Sequence, residues 1–238
     1  MPTTSWAVSH TLRGLSTLAI PLAALASSPT LASTLFEFEA NGQSLNNSLA
    51  GAQFIAGSSF TANANPNVFG SMPTATVMGK GGGNDVDFFA FHASAGAAHF
   101  DIDGAGFDTY LALFDASGTL VADNDDSFPG DAGNGSQFDA FLGSYSILAE
   151  GTYYLAVSRS GNFANATFTG SDFTQLLRPD GAFGGFAFGN ATFGDASFLA
   201  SGGQLGSDYT LHISAVPGPS GLGVLAIALV ARGRARRR

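Results

Sequence analysis

The chain contains no cysteine, so neither a disulfide framework nor thiolate chemistry is available to it, and the redox compartment is left undecided. Charge is also scarce, at 11% of 238 residues. The charge that exists is segregated: all 18 acidic residues fall between Glu37 and Asp208, where Lys80, Arg159 and Arg178 are the basic ones. A body so acidic repels phosphate backbones, which argues for no nucleic acid partner. Divalent cations and basic surfaces suit it better. No apolar run reaches the roughly 20 residues of a relaxed membrane-spanning helix.

What the chain has instead is 32 glycines and 22 phenylalanines. That balance of turn formers and bulky apolar groups points to many short strands, and so much aromatic surface argues against disorder. The length has room for one domain plus processing segments at its ends. From Thr34 onward, period-two alternation recurs between glycines and aspartates, as expected of antiparallel strands with one buried face. In AHFDID, Phe100 and Ile102 point one way while His99, Asp101 and Asp103 point the other. DVDFFAF, TYLALFD, GTLVA, TYYLAV and YTLHI read similarly, and two packed sheets are the simplest way to bury such faces.

The ends differ from this body. Residues 1–32 carry Arg13, the apolar run Leu15 to Leu25, and small residues at Ala24-Leu25-Ala26 and Thr30-Leu31-Ala32. That layout predicts a secretory signal peptide, cleaved after Ala26 or Ala32. Residues 216–238 hold a prolyl hinge, an apolar run from Gly221 to Ala231 predicted as a short hydrophobic helix, and five arginines that favour the cytoplasmic side of a membrane. Pro217 and Pro219 are expected to stop the preceding strand. The layout resembles a PEP-CTERM sorting signal, with Pro217-Gly218-Pro219 at the motif and glycine where the name-giving glutamate stands. The resemblance implies recognition by an exosortase-type processing enzyme, and contact with the membrane through the C-terminal segment before processing.

In the body, FEFEANGQSLNNSLAGAQFI, then DVDFFAF, then FDIDGAGFDTYLALFDASGTLVADNDDS, then AEGTYYLAV, is similar to the bacterial pre-peptidase C-terminal domain over about Phe36 to Ser160. That resemblance implies an all-β fold, a jelly-roll-like antiparallel β-sandwich over residues 33–215, and an accessory module with no room for a peptidase. Residues 161–206 form a Phe/Gly-rich insertion whose phenylalanines either complete the core or make an exposed adhesive loop.

Several constellations offer chemistry. The run Asp123-Asn124-Asp125-Asp126-Ser127 follows GTLVA and precedes a glycine-rich loop. Calcium takes six to eight oxygens from such loops, and Asp123, Asp125, Asp126 and Asp131, with Asp139 near by in sequence, are the expected metal ligands. A solvated turn and a catalytic carboxylate pair have the same appearance. An EF-hand is excluded, because Phe128 stands at its glycine position and Asn134 at its glutamate position. Gly83-Asn84-Asp85 is like part of a calcium-binding nonapeptide, but one copy cannot build a stacked site. Asp85 and Asp87 are expected as polar strand positions, and their approach to the 123–126 loop is a matter for the tertiary structure.

For hydrolysis, Asp101 and Asp103 share a strand face about 7 Å apart, a spacing that any alternating pair has. His92, His99 and His212 sit among alternating strand residues, and no Gly-x-Ser-x-Gly elbow accompanies them. The Asn-x-Ser/Thr sequences at Asn46, Asn165 and Asn190 are frequent by chance in such a composition. These features give an exported, non-enzymatic binding or structural module of the cell surface, outer envelope or extracellular matrix. Its expected ion is Ca2+, and its expected partners are extracellular polysaccharide or surface proteins. The alternative is a secreted hydrolase using an aspartate pair such as Asp101 and Asp103.

Overall fold

The computed structural model describes residues 1, 34–43, 45–62, 67–68, 71–127, 131, 135–164, 173–177, 181, 183–188, 198 and 206–219. Apart from Met1, the stretch expected as a signal peptide therefore lies outside the described residues, as do the segment from residue 220 onward and the asparagines at 165 and 190. Eleven strands are present among the described residues: β1 (Leu35–Phe36), β2 (Gln53–Ile55), β3 (Thr74–Gly81), β4 (Val86–Asp103), β5 (Thr109–Phe114), β6 (Leu120–Asn124), β7 (Phe141–Ile147), β8 (Gly151–Arg159), β9 (Phe173–Leu177), β10 (Phe183–Phe188) and β11 (Ser207–Pro217). Among the described residues the only helical turns are two 3-10 turns, and no helix is long and apolar enough to cross a membrane.

Hydrogen bonding links the strands in the order β1-β3-β11-β4-β8-β5-β6-β10-β9, with β2 and β7 also paired to β4. The 18-residue β4 is the element that turns this one mixed sheet into two layers. Its first half pairs with β8 and β2, and its second half pairs with β7 and β11. Between the halves lies Gly96 at φ +147°, a backbone conformation that glycine reaches without a Cβ clash. The registers of β7 and β11 on β4 both shift in this region, as bulges do where one strand passes from layer to layer.

The two halves then face each other. Phe89 and Phe91 from the first meet Phe100 and Ile102 from the second in one buried cluster, with the rings of Phe91 and Phe100 at 5.8 Å. Leu111, Leu113, Leu155, Val157, Leu211 and Ile213 complete it. The all-β sandwich expected from the alternation is present, with two differences. The pairs β1–β3 and β2–β4 are parallel, which the long connections between those strands permit.

The second difference is that the outer face of the β4–β8–β5 layer is also buried. Phe88 is as enclosed as Phe89, at 1% and 0% exposure. Val86, Phe88, Tyr110, Ala112, Phe114 and Ala156 form a second cluster under Phe198, whose ring meets Phe88 edge-on at 5.8 Å. The Phe/Gly-rich stretch thus supplies the cover that makes a one-faced strand two-faced. Burying each such side chain stabilises the fold by roughly 1.5–3 kcal/mol.

At the other end, β11 stops at Pro217, opposite Ala93 across the bulge, where the prolines were expected to end it. Proline lacks only the donor, and the next residue restores it: the Gly218 N–H donates to the His92 carbonyl at 3.0 Å.

Candidate functional site

Glu37 directly follows β1, and its own N–H donates to Met78 of β3 at 2.9 Å, which anchors it to the sheet. Its carboxylate then folds back over the next turn, accepting from the Glu39 and Ala40 N–H groups at 2.5 and 2.6 Å. Asn46 comes in from the segment before β2 and accepts from the Phe88 N–H at 2.9 Å through its own carbonyl. With its amide nitrogen turned to the acids, the Asn46 side chain donates to Glu37 Oε1 at 2.9 Å and Asp87 Oδ1 at 3.2 Å. The other Asp87 oxygen accepts from the Tyr209 hydroxyl of β11 at 2.7 Å. Asp85, at the entry to β4, accepts from Val86 N–H at 3.1 Å and from Asn47 Nδ2 at 3.4 Å.

Four carboxylates are thereby enclosed together: Glu37 and Asp87 at 0% and 1% exposure, Asp85 at 1% and Glu39 at 8%. Two of their oxygens, Asp85 Oδ2 and Glu39 Oε1, have no hydrogen-bond partner. Lys80, the nearest basic residue in sequence, pairs instead with the exposed Asp208. Burial, reinforced by the Glu39 and Glu37 charges, pushes the Asp85 carboxyl up to about 7. Burial and the Asp85 charge raise Asp87 well above the carboxylate range, and burial raises Glu37. Buried like charges favour either a shared proton or a cation among them. The donor set is oxygen throughout, the kind that calcium and magnesium accept and soft metals do not. Among the described residues no three acidic or histidine side chains close on a single point as a finished ligand set does, so an ion would draw these oxygens together.

The residues singled out from the sequence are distributed over other places. Asp123 lies on the outer face of β6 and accepts from the Tyr110 hydroxyl at 2.6 Å; burial raises its pKa. Asp125 acts electrostatically on Asp123 and Asp126, and both Asp125 and Asp126 on Asp108. Asp131 is apart from that group, beside Asp103 and against Gly135. Asp85 and Asp87 meet Glu37 and Asn46, whereas Asp123 faces Tyr110.

Asp101 and Asp103, the pair considered for hydrolysis, are 2% and 5% exposed, which leaves little for a sugar to reach. His212 presents Nε2 to Asp103 at 3.2 Å and Nδ1 to the Thr76 hydroxyl at 3.0 Å. His99 stacks on Phe141 and accepts the Ser144 N–H at 3.0 Å, and His92 faces Glu150 at 3.8 Å. Each of the three described histidines thus has a structural contact.

Sequence reasoning missed Glu37, Glu39 and Asn46. The signal was there in the Glu-x-Glu spacing of FEFEAN, an acidic alternation matched by Asp85-x-Asp87. Nothing along the chain says that the two alternations meet.

Compared with known proteins, residues 85–159 match the family model described as bacterial pre-peptidase C-terminal domain. The match begins at Asp85 of the acid cluster and ends at Arg159, the last residue of β8, so Glu37, Glu39 and Asn46 stand outside it. A search of the curated proteins found no match.

Proposed function

We propose that this chain, whose residues 85–159 match the model of a module found in secreted bacterial proteins, is an exported, non-catalytic β-sandwich of the cell surface whose N-terminal segment is clamped by calcium. The observation that carries the reading is the enclosure of Glu37, Glu39, Asp85 and Asp87 with Asn46, two carboxylate oxygens being left without a partner. An ion there ties the chain after β1 to the entry of β4. A cytosol poor in calcium would leave the acids repelling one another, and an exterior rich in it would lock them. Export and folding are then coupled through one ion. The Asp123 loop is the weaker candidate for this role, since Asp123 is held by Tyr110 and Asp126 is exposed.

The body serves as a binding or matrix module for extracellular polysaccharide or surface proteins, and the tripartite C-terminal layout is the address read by an exosortase-type enzyme. The buried state of Asp101 and Asp103 supports the non-catalytic reading over a hydrolase. Calcium that binds only the folded chain, at 100 times its dissociation constant, adds about 2.7 kcal/mol. At roughly 2–4 °C per kcal/mol for this size, the midpoint rises by about 5–10 °C over that in chelator. The experiment is a thermal melt of the exported chain in calcium chloride and in EDTA. Equal midpoints for wild type would remove the ion from the reading, and a calcium shift undiminished in Asp87→Asn would remove it from this cluster.

A further inference from the structure

A second group of enclosed acids lies at the other end of β4. Asp103, its last residue, is 5% exposed, and Asp139, in the loop before β7, is 0% exposed. One Asp139 oxygen, Oδ2, is held by the Gly104 and Ser136 N–H groups at 3.0 and 2.9 Å, which fixes the plane of the carboxylate. The other, Oδ1, has no hydrogen-bond partner, nor has Asp103 Oδ1. Asp103 Oδ2 faces His212 Nε2 at 3.2 Å, so one side of this carboxylate is occupied and the other is open.

Asp131 joins from the loop. Its Oδ2 and Asp103 Oδ1 converge on the bare face of Gly135, at 2.6 and 3.7 Å from where a Cβ would stand. A side chain at 135 would therefore occupy the space between the two acids. The Asp103 charge also bears on Asp139, which is raised by burial first and by that charge in addition. A single proton neutralises one oxygen of such a group, whereas a divalent ion with its waters can engage several at once.

We propose that Asp103, Asp139 and Asp131 form a second site for a hard divalent cation of the calcium class, separate from the Glu37–Asp87 cluster; their oxygens do not yet close on a single point, so here too the ion draws them together. The ion joins the C-terminal end of β4 to Asp131 and to the loop that leads into β7. The ligands come from the end of one strand and the loop that crosses it, so binding requires the folded sandwich. It uses none of the residues of the first cluster, and the two sites fail independently.

The test is native mass spectrometry of the exported, full-length folded chain, stripped with EDTA and titrated with calcium chloride. Wild type is expected to take up two ions, and Asp139→Asn and Asp103→Asn one each. Asp87→Asn is expected to keep the ion that Asp139→Asn loses. One ion in wild type that Asp139→Asn retains overturns this site and leaves the first cluster standing. One ion that Asp139→Asn loses and Asp87→Asn keeps upholds it and overturns the first. No ion in wild type overturns both. Because Asp139 also accepts from the backbone at Gly104, Ala105 and Ser136, Gly135→Ala provides a second variant that leaves the Asp139 side chain in place. It is expected to weaken one calcium step at least tenfold while circular dichroism stays that of wild type, and an unchanged step overturns the proposal.

Discussion

Consider Asp85→Asn in the absence of calcium. Asparagine keeps the shape of the side chain and an oxygen that can accept the Val86 N–H and the Asn47 amide, but it carries no charge into the acid cluster. In the folded chain the Asp85 carboxyl titrates at about 7 against an ordinary 3.8. The sign follows from the proton count: between those two values the folded state holds a proton that the unfolded state has released. Stability from this group is therefore full below about pH 4 and declines as pH rises to about 7. Three units at 1.36 kcal/mol each set a ceiling of about 4 kcal/mol, shared with Glu37 and Glu39 through their coupling.

At pH 8 in chelator the variant should thus be more stable than wild type, by an amount of the order of 2–4 kcal/mol, and at pH 4 the two should be nearly equal. Calcium should reverse the order at pH 8, because the ionised carboxylate that repels its neighbours is the one that binds the ion. Urea denaturation at pH 4, 6 and 8, in EDTA and in calcium, measures all of this. A wild-type minus variant difference that does not change with pH in EDTA would refute the reasoning. So would a variant that is less stable under every condition.

Two other expectations follow from packing. Phe198→Ala removes the ring that covers Phe88, Tyr110 and Phe114 on the outer face, and should cost about 3–5 kcal/mol in urea denaturation; a loss below about 1 kcal/mol would mean that the cover is not part of the cooperative fold. Gly218→Glu would place a Cβ at 2.6 Å from the His92 ring and 3.1 Å from the Ala93 backbone, and should lower stability by about 1–3 kcal/mol, whereas Pro219→Ala, at an exposed position, should change it by less than about 0.5 kcal/mol. Equal effects of the two would mean that the end of β11 is not seated on β4.

Much of the fold was legible one strand at a time. Phe100 and Ile102 inward against Asp101 and Asp103 outward, and Tyr153, Leu155 and Val157 on one face, are consequences of the two-residue period of an extended chain, which any sequence window reports. What could not be read is how faces are covered. DVDFFAF was expected to bury one side, and both are buried, because Phe198 arrives from a stretch more than a hundred residues later. The candidate site was half legible for the same reason. Asp85 and Asp87 stood out as an acidic alternation, but Glu37 and Asn46, which complete the cluster, reach them only through the pairing of β1 with β3 and the bond from Phe88 to Asn46. The run Asp123-Asn124-Asp125-Asp126 was conspicuous by density alone, and density along the chain says nothing of where carboxylates point.

By itself, then, the sequence determined the local terms: strand period, turn positions, an acidic body and an all-β architecture, since each depends on neighbours within a few residues. Only the tertiary structure decided which acids share a buried space, because that depends on contacts such as Tyr209 with Asp87 and Gly104 with Asp139, made by residues far apart in the chain. The cost of enclosing like charges is set by those contacts, and so is the chemistry that relieves it.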